Sequence, residues 1–170
     1  AAHAPPRDLA TLDFQPLTEA FIDPVIALKH RIFAAHPEYC WFGADPRFLA
    51  REAAGMRAEL AAGRCFDEII LREGRLVGFI GLGIQHGNAF WGSTGGLDLV
   101  LDPEIQGQGV VKTAYRRVLE RLVAEGVAVF KGGTSQPAVL ALGRRMGRVM
   151  ASVNVRHATP FSASHFGDWL

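Results

Sequence analysis

The sequence has little excess charge of either sign. Lys and Arg together number 18 and Asp and Glu number 17, which gives the 170-residue chain a formal net charge of +1 at pH 7. Proteins that bind nucleic acids usually carry a basic excess or a basic stripe, whereas the arginines here are scattered among acidic residues. The composition therefore argues against a nucleic-acid partner.

Cysteines and long apolar runs are also scarce. The two cysteines, Cys40 and Cys65, do not form a disulfide scaffold, so we expect reduced thiols in a cytoplasmic protein. No apolar run reaches the roughly 18 residues of a membrane span, and the first residues show no apolar signal-peptide core; we expect no membrane partner. Because the chain does not begin with Met, we expect it to be trimmed or part of a longer protein, with residues 1–10 flexible.

The apolar periodicity predicts a single α/β domain over residues 1–170. Helices are predicted from Asp23-Pro24, over about 45–62 with Glu52 facing water, over about 107–124, and from Ser135 to Gly147. Strands are predicted at 12–17, 66–71, 76–85, 89–101, 127–130 and 149–159. In the third helix, the core-facing rows are Val110, Ala114, Val118 and Leu122, then Val111, Tyr115, Leu119 and Val123. The order β-α-α-β-β-β-α-β-α-β predicts a mixed sheet with helices on both faces.

One segment, residues 99–111, carries a strand through a glycine-containing turn directly into an amphipathic helix. The first N–H groups of a helix lack internal partners and lie at the positive end of the helix dipole. Glycines let an anion approach the backbone closely. The spacing fits neither a P-loop nor a dinucleotide fingerprint. The segment therefore predicts an anion site formed by backbone groups.

The stretch from Gln106 to Val111 resembles the coenzyme A signature of the GNAT N-acetyltransferases, Gln/Arg-x-x-Gly-x-Gly/Ala. Residues 134–147 resemble the second block of that family, and the predicted element order matches over about 12–159. The resemblance implies a GNAT-like, mostly antiparallel sheet that splays at the cofactor cleft. It also implies an N-acyltransferase that moves an acetyl or other acyl group from coenzyme A to an amine, by direct attack in a ternary complex.

The resemblance assigns cofactor contacts to particular positions. The strand residues expected to pair with the pantetheine arm are Leu99, Val100 and Leu101, with the N–H of Val100 or Leu101 supporting the oxyanion. The residues expected to hold the pyrophosphate are Gln106, Gly107, Gln108, Gly109, Val110 and Val111. Gln136 stands where the family has an Asn that contacts pantetheine, and Arg144 or Arg145 is expected to reach the adenosine phosphate.

Three positions depart from the family pattern. Val111 replaces a small residue, Gln136 replaces Asn, and Gly143 stands where many members carry a Tyr that protonates the departing thiolate. Without that Tyr, the leaving group takes its proton from water or another residue. Gly143 also leaves space for a longer acyl chain. Two alternatives therefore remain open: a catalytically degenerate, acyl-CoA-binding regulatory module, and an acyltransferase that uses long-chain donors.

The candidate catalytic residues are Asp98, His86 and Thr94, on or near the central strands. A carboxylate inside a strand, such as Asp98, needs a partner, whereas His86 also fits a plain turn residue. No His-Glu-x-x-His or similar spacing occurs, so no metal site is expected. The expected acceptor is a small-molecule or peptide amine, bordered by the aromatic loop 39–42. The apolar tail 161–170 allows a homodimer.

Overall fold

The computed structural model describes residues 11–36, 43, 45–89, 92–134 and 137–149. By its internal contacts the chain divides into two compact units, Ala1–Gly132 and Gly133–Leu170. A single domain over 1–170 thus stays a prediction. Several predicted features lie outside the described residues: the first ten residues, Gln136, the aromatic loop, the apolar tail and, apart from Val149, the last predicted strand.

A five-stranded sheet forms the centre of the first unit, as far as the described residues show. Its strands are β1 Leu12–Pro16, β2 Glu68–Arg72, β3 Arg75–Asn88, β4 Gly92–Leu101 and β5 Val129–Lys131, and they lie side by side in that order. The strands β1 to β4 pair antiparallel, whereas β5 pairs parallel with β4. The predicted mixed, mostly antiparallel sheet is confirmed.

Helices cover both faces of this sheet. They are α1 Glu19–Ala34, α2 Pro46–Ala61 and α3 Val110–Ala124, while α4 Pro137–Arg145 belongs to the second unit. Because successive strand residues point to opposite faces, neighbours on β4 enter different cores. Val100 packs in the cluster with α1 and α2, and Leu101 packs in the cluster with α3.

Two helices show how local sequence sets these elements. In α2, the Asp45 carboxylate accepts a hydrogen bond from the Arg47 N–H, and Pro46 occupies the first turn. In α3, every fourth residue is buried on one face: Val110, Ala114, Val118 and Leu122. The second predicted core-facing row of α3 is wrong at its last residue, because Val123 is 79% exposed.

The structure also corrects two predicted boundaries. α1 begins at Glu19, one turn before the predicted Asp23-Pro24, and Pro24 lies inside the helix. The buried side chain of Ile22 explains the earlier start, since it extends the apolar face of α1 by one turn. Strand β3 continues through His86 to Asn88, with a register shift between Gln85 and Asn88, where a turn was predicted.

Candidate functional site

Among the described residues, one edge of strand β4 has no partner strand along its second half. It pairs with β5 only from Thr94 to Gly96. Along Leu97–Leu101 the edge of β4 away from β3 faces no strand among the described residues. The sheet therefore opens at Gly96, as the predicted splay requires, and leaves backbone groups on one side of β4 available for pairing.

The backbone direction decides which N–H groups this edge presents. The Asp102 N–H donates to the Val77 carbonyl of β3 at 2.8 Å. N–H groups alternate between the two sides of an antiparallel strand, and the β3–β4 register is regular from Gly78 to Gln85. The Val100 N–H therefore faces β3, whereas the N–H groups of Leu99 and Leu101 face the open edge. The sequence predicts that the N–H of Val100 or Leu101 supports the oxyanion. Of these two groups, the Leu101 N–H faces the open edge.

The chain then turns on two glycines into α3. Gly107 and Gly109 have φ angles of 73° and 84°, in the left-handed region that favours glycine. Gly109 caps α3 without a side-chain hydrogen bond. The Lys112 N–H donates to the Gly109 carbonyl, whereas within the described chain the N–H groups from Gly107 to Val111 make no backbone hydrogen bond outside the helices and strands. This turn therefore offers a run of free donors at the positive end of a helix dipole.

Side chains hold this turn in place. The Gln106 Nε2 donates to the Leu101 carbonyl at 3.0 Å, and the Gln108 Nε2 donates to the Glu104 carbonyl at 2.5 Å. The Arg72 guanidinium, from the end of β2, donates to Gln108 Oε1 at 3.0 Å. The two glutamines thus fix the backbone of the turn with their side chains.

The residues at the start of α3 bury their side chains beneath the turn. Val110 is fully buried, and Val111 packs against the same core cluster. The branched side chain of Val111, which replaces the small residue of the family pattern, is thus directed into the core. Tyr115, one turn further, is buried and meets the Phe130 ring edge-on, with centroids 5.8 Å apart. The predicted core role of Tyr115 is confirmed.

Asp98 lies on β4 beside an ionic cluster that was not predicted. Its Oδ2 accepts a hydrogen bond from the Lys29 ammonium of α1 at 2.7 Å, and the same ammonium donates to Glu52 Oε2 of α2 at 2.5 Å. Glu52 was expected to face water, and this contact corrects that expectation. The spacing of Lys29 in the sequence could have indicated its burial, because it lies four residues after Val25 and so on the buried face of α1.

The other two candidates lie elsewhere on the sheet. His86 is exposed within β3, and its Nδ1 lies 3.1 Å from Ser93 Oγ. Asp98 pairs with Gly81, so His86 lies roughly 16 Å away along the strand at 3.3 Å per residue. Thr94 is buried. The structure brings neither of them to Asp98, and Asp98 is the candidate next to the open edge.

An open groove adjoins the splay. It has a volume of about 310 Å³ and is lined by Gly83, Ile84, Gln85, Thr94, Gly95, Gly96 and Lys131. No neighbouring atom lies within 4 Å of a Cβ built on Gly83 or Gly96. The glycines leave room on the sheet surface for a small molecule beside β4.

The second unit contributes one short helix to the described chain. Gly143 is buried within α4, where an added Cβ would meet Arg148 Cδ at 3.6 Å. Arg144 and Arg145 are exposed in its last turn. The roles of Gly143, Arg144 and Arg145 toward a cofactor stay predictions, as does that of Gln136.

The described segments contain neither a metal-binding cluster nor a membrane-spanning helix. Within them, no group of three or more His, Cys, Asp and Glu side chains could hold a metal ion. None of their helices is both long and apolar enough to cross a membrane.

Comparison with known proteins relates this geometry to a family. No curated protein matches the chain. Several solved structures share its fold. An acetyltransferase from Trypanosoma brucei is 20% identical, with a TM-score of 0.65 over 86% of this chain and 98% of its own. A predicted acetyltransferase with acetyl-CoA from Clostridium acetobutylicum is 9% identical, with a TM-score of 0.68 over 86% and 95%. Glucosamine-6-phosphate N-acetyltransferase from Arabidopsis thaliana is 12% identical, with a TM-score of 0.63 over 86% and 97%.

At these identities the likeness concerns the fold, and it confirms the GNAT-like sheet. The sequence itself matches the model of the acetyltransferase (GNAT) family over residues 25–147, which include β2, β3, β4 and the turn into α3. Because this match covers more than half of the chain, the protein belongs to the GNAT acetyltransferase family.

Proposed function

We propose that the chain is an N-acyltransferase that moves an acyl group, with acetyl as the expected donor, from coenzyme A to an amine. The observation that carries this proposal is the edge of β4 at Leu97–Leu101 that has no partner strand among the described residues and leads into the glycine turn before α3. Family membership supplies the reaction class. The alternation of the β4 backbone supplies the donors that such a reaction needs.

The residues present fit an acyl-CoA molecule. The free edge of β4 suits the amides of a pantetheine arm, which would add as a further strand. The turn from Gly107 to Val111 offers unpaired N–H groups to a pyrophosphate, and no neighbouring atom lies within 4 Å of a Cβ built on Gly107. Bound there, acyl-CoA would supply an activated thioester next to β4.

The protein would act on that thioester through backbone and side-chain groups of one strand. The N–H groups of Leu99 and Leu101 face the open edge, where they would donate to the oxyanion that develops as the amine attacks. Asp98, adjacent in the strand, would accept the proton released by the amine. A C–N bond forms, the C–S bond breaks, and the thiolate leaves with a proton from solvent.

For the acceptor we favour a small-molecule amine. The groove beside Gly83 and Gly96 is open and about 310 Å³ in volume, which suits a small ligand. One protein of the same fold is named for glucosamine-6-phosphate, a small amine. We also propose a cytoplasmic location, because the Cys65 thiol is free.

A thiol-release assay with acetyl-CoA and a panel of primary amines tests the proposal. We expect turnover with at least one small amine, and we expect Asp98→Asn to lower kcat by roughly 10²- to 10⁴-fold while CoA binding persists. Full activity of Asp98→Asn would remove Asp98 from the mechanism. CoA binding without turnover across the panel would favour the regulatory module instead, and activity that rises with acyl length would favour long-chain donors.

A further inference from the structure

Lys29 of α1 is a buried cation with two carboxylate partners. Its residue surface is 2% exposed. Its ammonium contacts Asp98 of β4 at 2.7 Å and Glu52 of α2 at 2.5 Å. The Phe33 and Phe79 rings lie 5.8 and 5.6 Å from the same nitrogen. Lys29 thus joins both helices on this face to the strand that carries the open edge.

This environment keeps Lys29 charged. Burial acts to lower the pKa of the ammonium, but the carboxylates of Asp98 and Glu52 outweigh burial, so the pKa is raised above the usual 10.5. A buried ammonium without partners would be costly. Asp98 therefore has a fixed positive charge beside one of its oxygens at neutral pH.

The contact leaves half of the Asp98 carboxylate available. Only Oδ2 is bound to Lys29, and no other described group donates to Oδ1. The side chain is 45% exposed. Opposite Asp98 on β3 is Gly81, where a Cβ would lie 3.2 Å from Asp98 Cβ, so the glycine keeps this space clear. One oxygen is held in place and the other can receive a proton.

We propose that Lys29 is a positioning residue for acyl transfer, which orients the Asp98 carboxylate and places a positive charge beside it, while Glu52 binds the same ammonium and offsets part of that charge. This inference rests on the proposed role of Asp98 as the base. Glu52 matters because its negative charge is bound to the same ammonium and opposes the positive charge beside Asp98. Lys29 and Glu52 therefore act on Asp98 in opposite directions.

The charged groups that act on this site come from three elements. They are Lys29 of α1, Glu52 of α2, and Asp67 just before β2. Burial raises the pKa of Asp67, which also responds to the charges of Lys29, Asp98 and Glu52. Without Lys29, the negative charges of Glu52 and Asp67 remain beside the proposed base, so activity should require a higher pH. Without the Glu52 charge, activity should persist to lower pH.

The test is the pH dependence of kcat/KM, whose acid limb reports the essential base of the free enzyme. We expect Lys29→Met to move the acid limb up by about one to three pH units and to lower kcat, with little change in CoA affinity. Lys29→Arg restores the charge and should return the limb toward the wild-type position. Glu52→Gln should move it down.

A matched control is Arg57→Met. Arg57 of α2 pairs with Glu19 and Asp23 of α1 on the exposed side of the same two helices. Its removal disturbs helix contacts without touching Asp98, so the acid limb should stay in place. If Lys29→Met does not fold, Glu52→Gln still tests the downward shift, and Lys29→Arg tests whether a retained positive charge keeps the acid limb in place.

Three outcomes would overturn the inference. If the acid limb of Lys29→Met is unmoved while Asp98→Asn is inactive, Lys29 is purely structural. The proposed function would not be affected by that result. If Lys29→Met and Glu52→Gln move the acid limb in the same direction, the opposed roles of Lys29 and Glu52 are refuted. An active Asp98→Asn would refute the base itself and this inference with it, while CoA binding would still support the family reaction.

Discussion

Gly95 of β4 lies directly against Leu122 of α3, so closely that an added Cβ would come within 2.3 Å of Leu122 Cδ2. Leu122 is buried in the core cluster, and its side chain has little room to move. Gly95 lies where β4 pairs with β5, just before the sheet opens. The glycine thus lets α3, whose first turn forms the proposed pyrophosphate site, pack closely on the sheet.

Gly95→Ala should destabilise the fold. Overpacking a buried contact costs about 1–3 kcal/mol, which urea denaturation would show as a lower free energy of unfolding. Gly96→Ala is the matched control, because no atom lies within 4 Å of its Cβ position. Equal stability of the two variants would contradict the close packing of α3 on β4.

Gly109→Asp should abolish or greatly weaken CoA binding. At φ 84° a side chain is strained, and this carboxylate would place negative charge and bulk among the free N–H groups of the turn. Gly126→Asp is the control, since Gly126 has a φ of 65° at the other end of α3 and open space around it. Titration calorimetry of both folded variants with CoA checks this, and equal affinities would remove the turn from the cofactor site.

Arg72→Met should weaken CoA binding without unfolding the protein. The variant removes the hydrogen bond that Arg72 donates to Gln108 Oε1. Loss of such a bond costs about 0.5–1.5 kcal/mol, or roughly two- to tenfold in Kd if the turn must be re-ordered on binding. Arg75→Met is the control, because Arg75 pairs with Glu104 of the same segment without a bond to Gln108. Calorimetry should separate the two, and identical affinities would contradict a role for Arg72.

The stability of Asp67→Asn relative to wild type should increase as pH rises. Burial raises the pKa of Asp67 above 3.8, against the hydrogen bond from the Leu82 N–H at 2.8 Å. The unfolded chain loses this proton first, so wild-type stability falls as pH rises from 3.8 through the raised pKa. The amide keeps an acceptor for Leu82 and removes the titration. Urea denaturation across this pH range should show the free energy of unfolding of the variant rising relative to that of wild type. A difference that stays constant with pH would contradict the raised pKa.

The elements around the turn could be predicted because their patterns are local. The apolar repeat from Val110 to Leu122 defines α3 without any tertiary information. The glycines at 107 and 109 mark the turn, and both adopt the positive φ that glycine allows. The start of α1 was missed because Pro24 resembles a first-turn residue. The carbonyl that its missing N–H would bond belongs to the exposed Ala20, which water can satisfy.

The ionic cluster at Asp98 could not be predicted in the same way. Glu52 is 23 residues from Lys29 and Asp98 is 69 residues away, so no local pattern joins them. The need of Asp98 for a partner was predictable from its apolar neighbours. The identity of that partner depends on how α1 and α2 pack over β4, which only the tertiary structure supplies.

The most direct test of this account is titration calorimetry of the purified protein with CoA, acetyl-CoA and a longer acyl-CoA. The account predicts saturable, one-to-one binding of CoA and acetyl-CoA, since both would place a pyrophosphate on the turn from Gly107 to Val111 and a pantetheine arm on the β4 edge. No detectable binding of any of the three by the folded protein would contradict it.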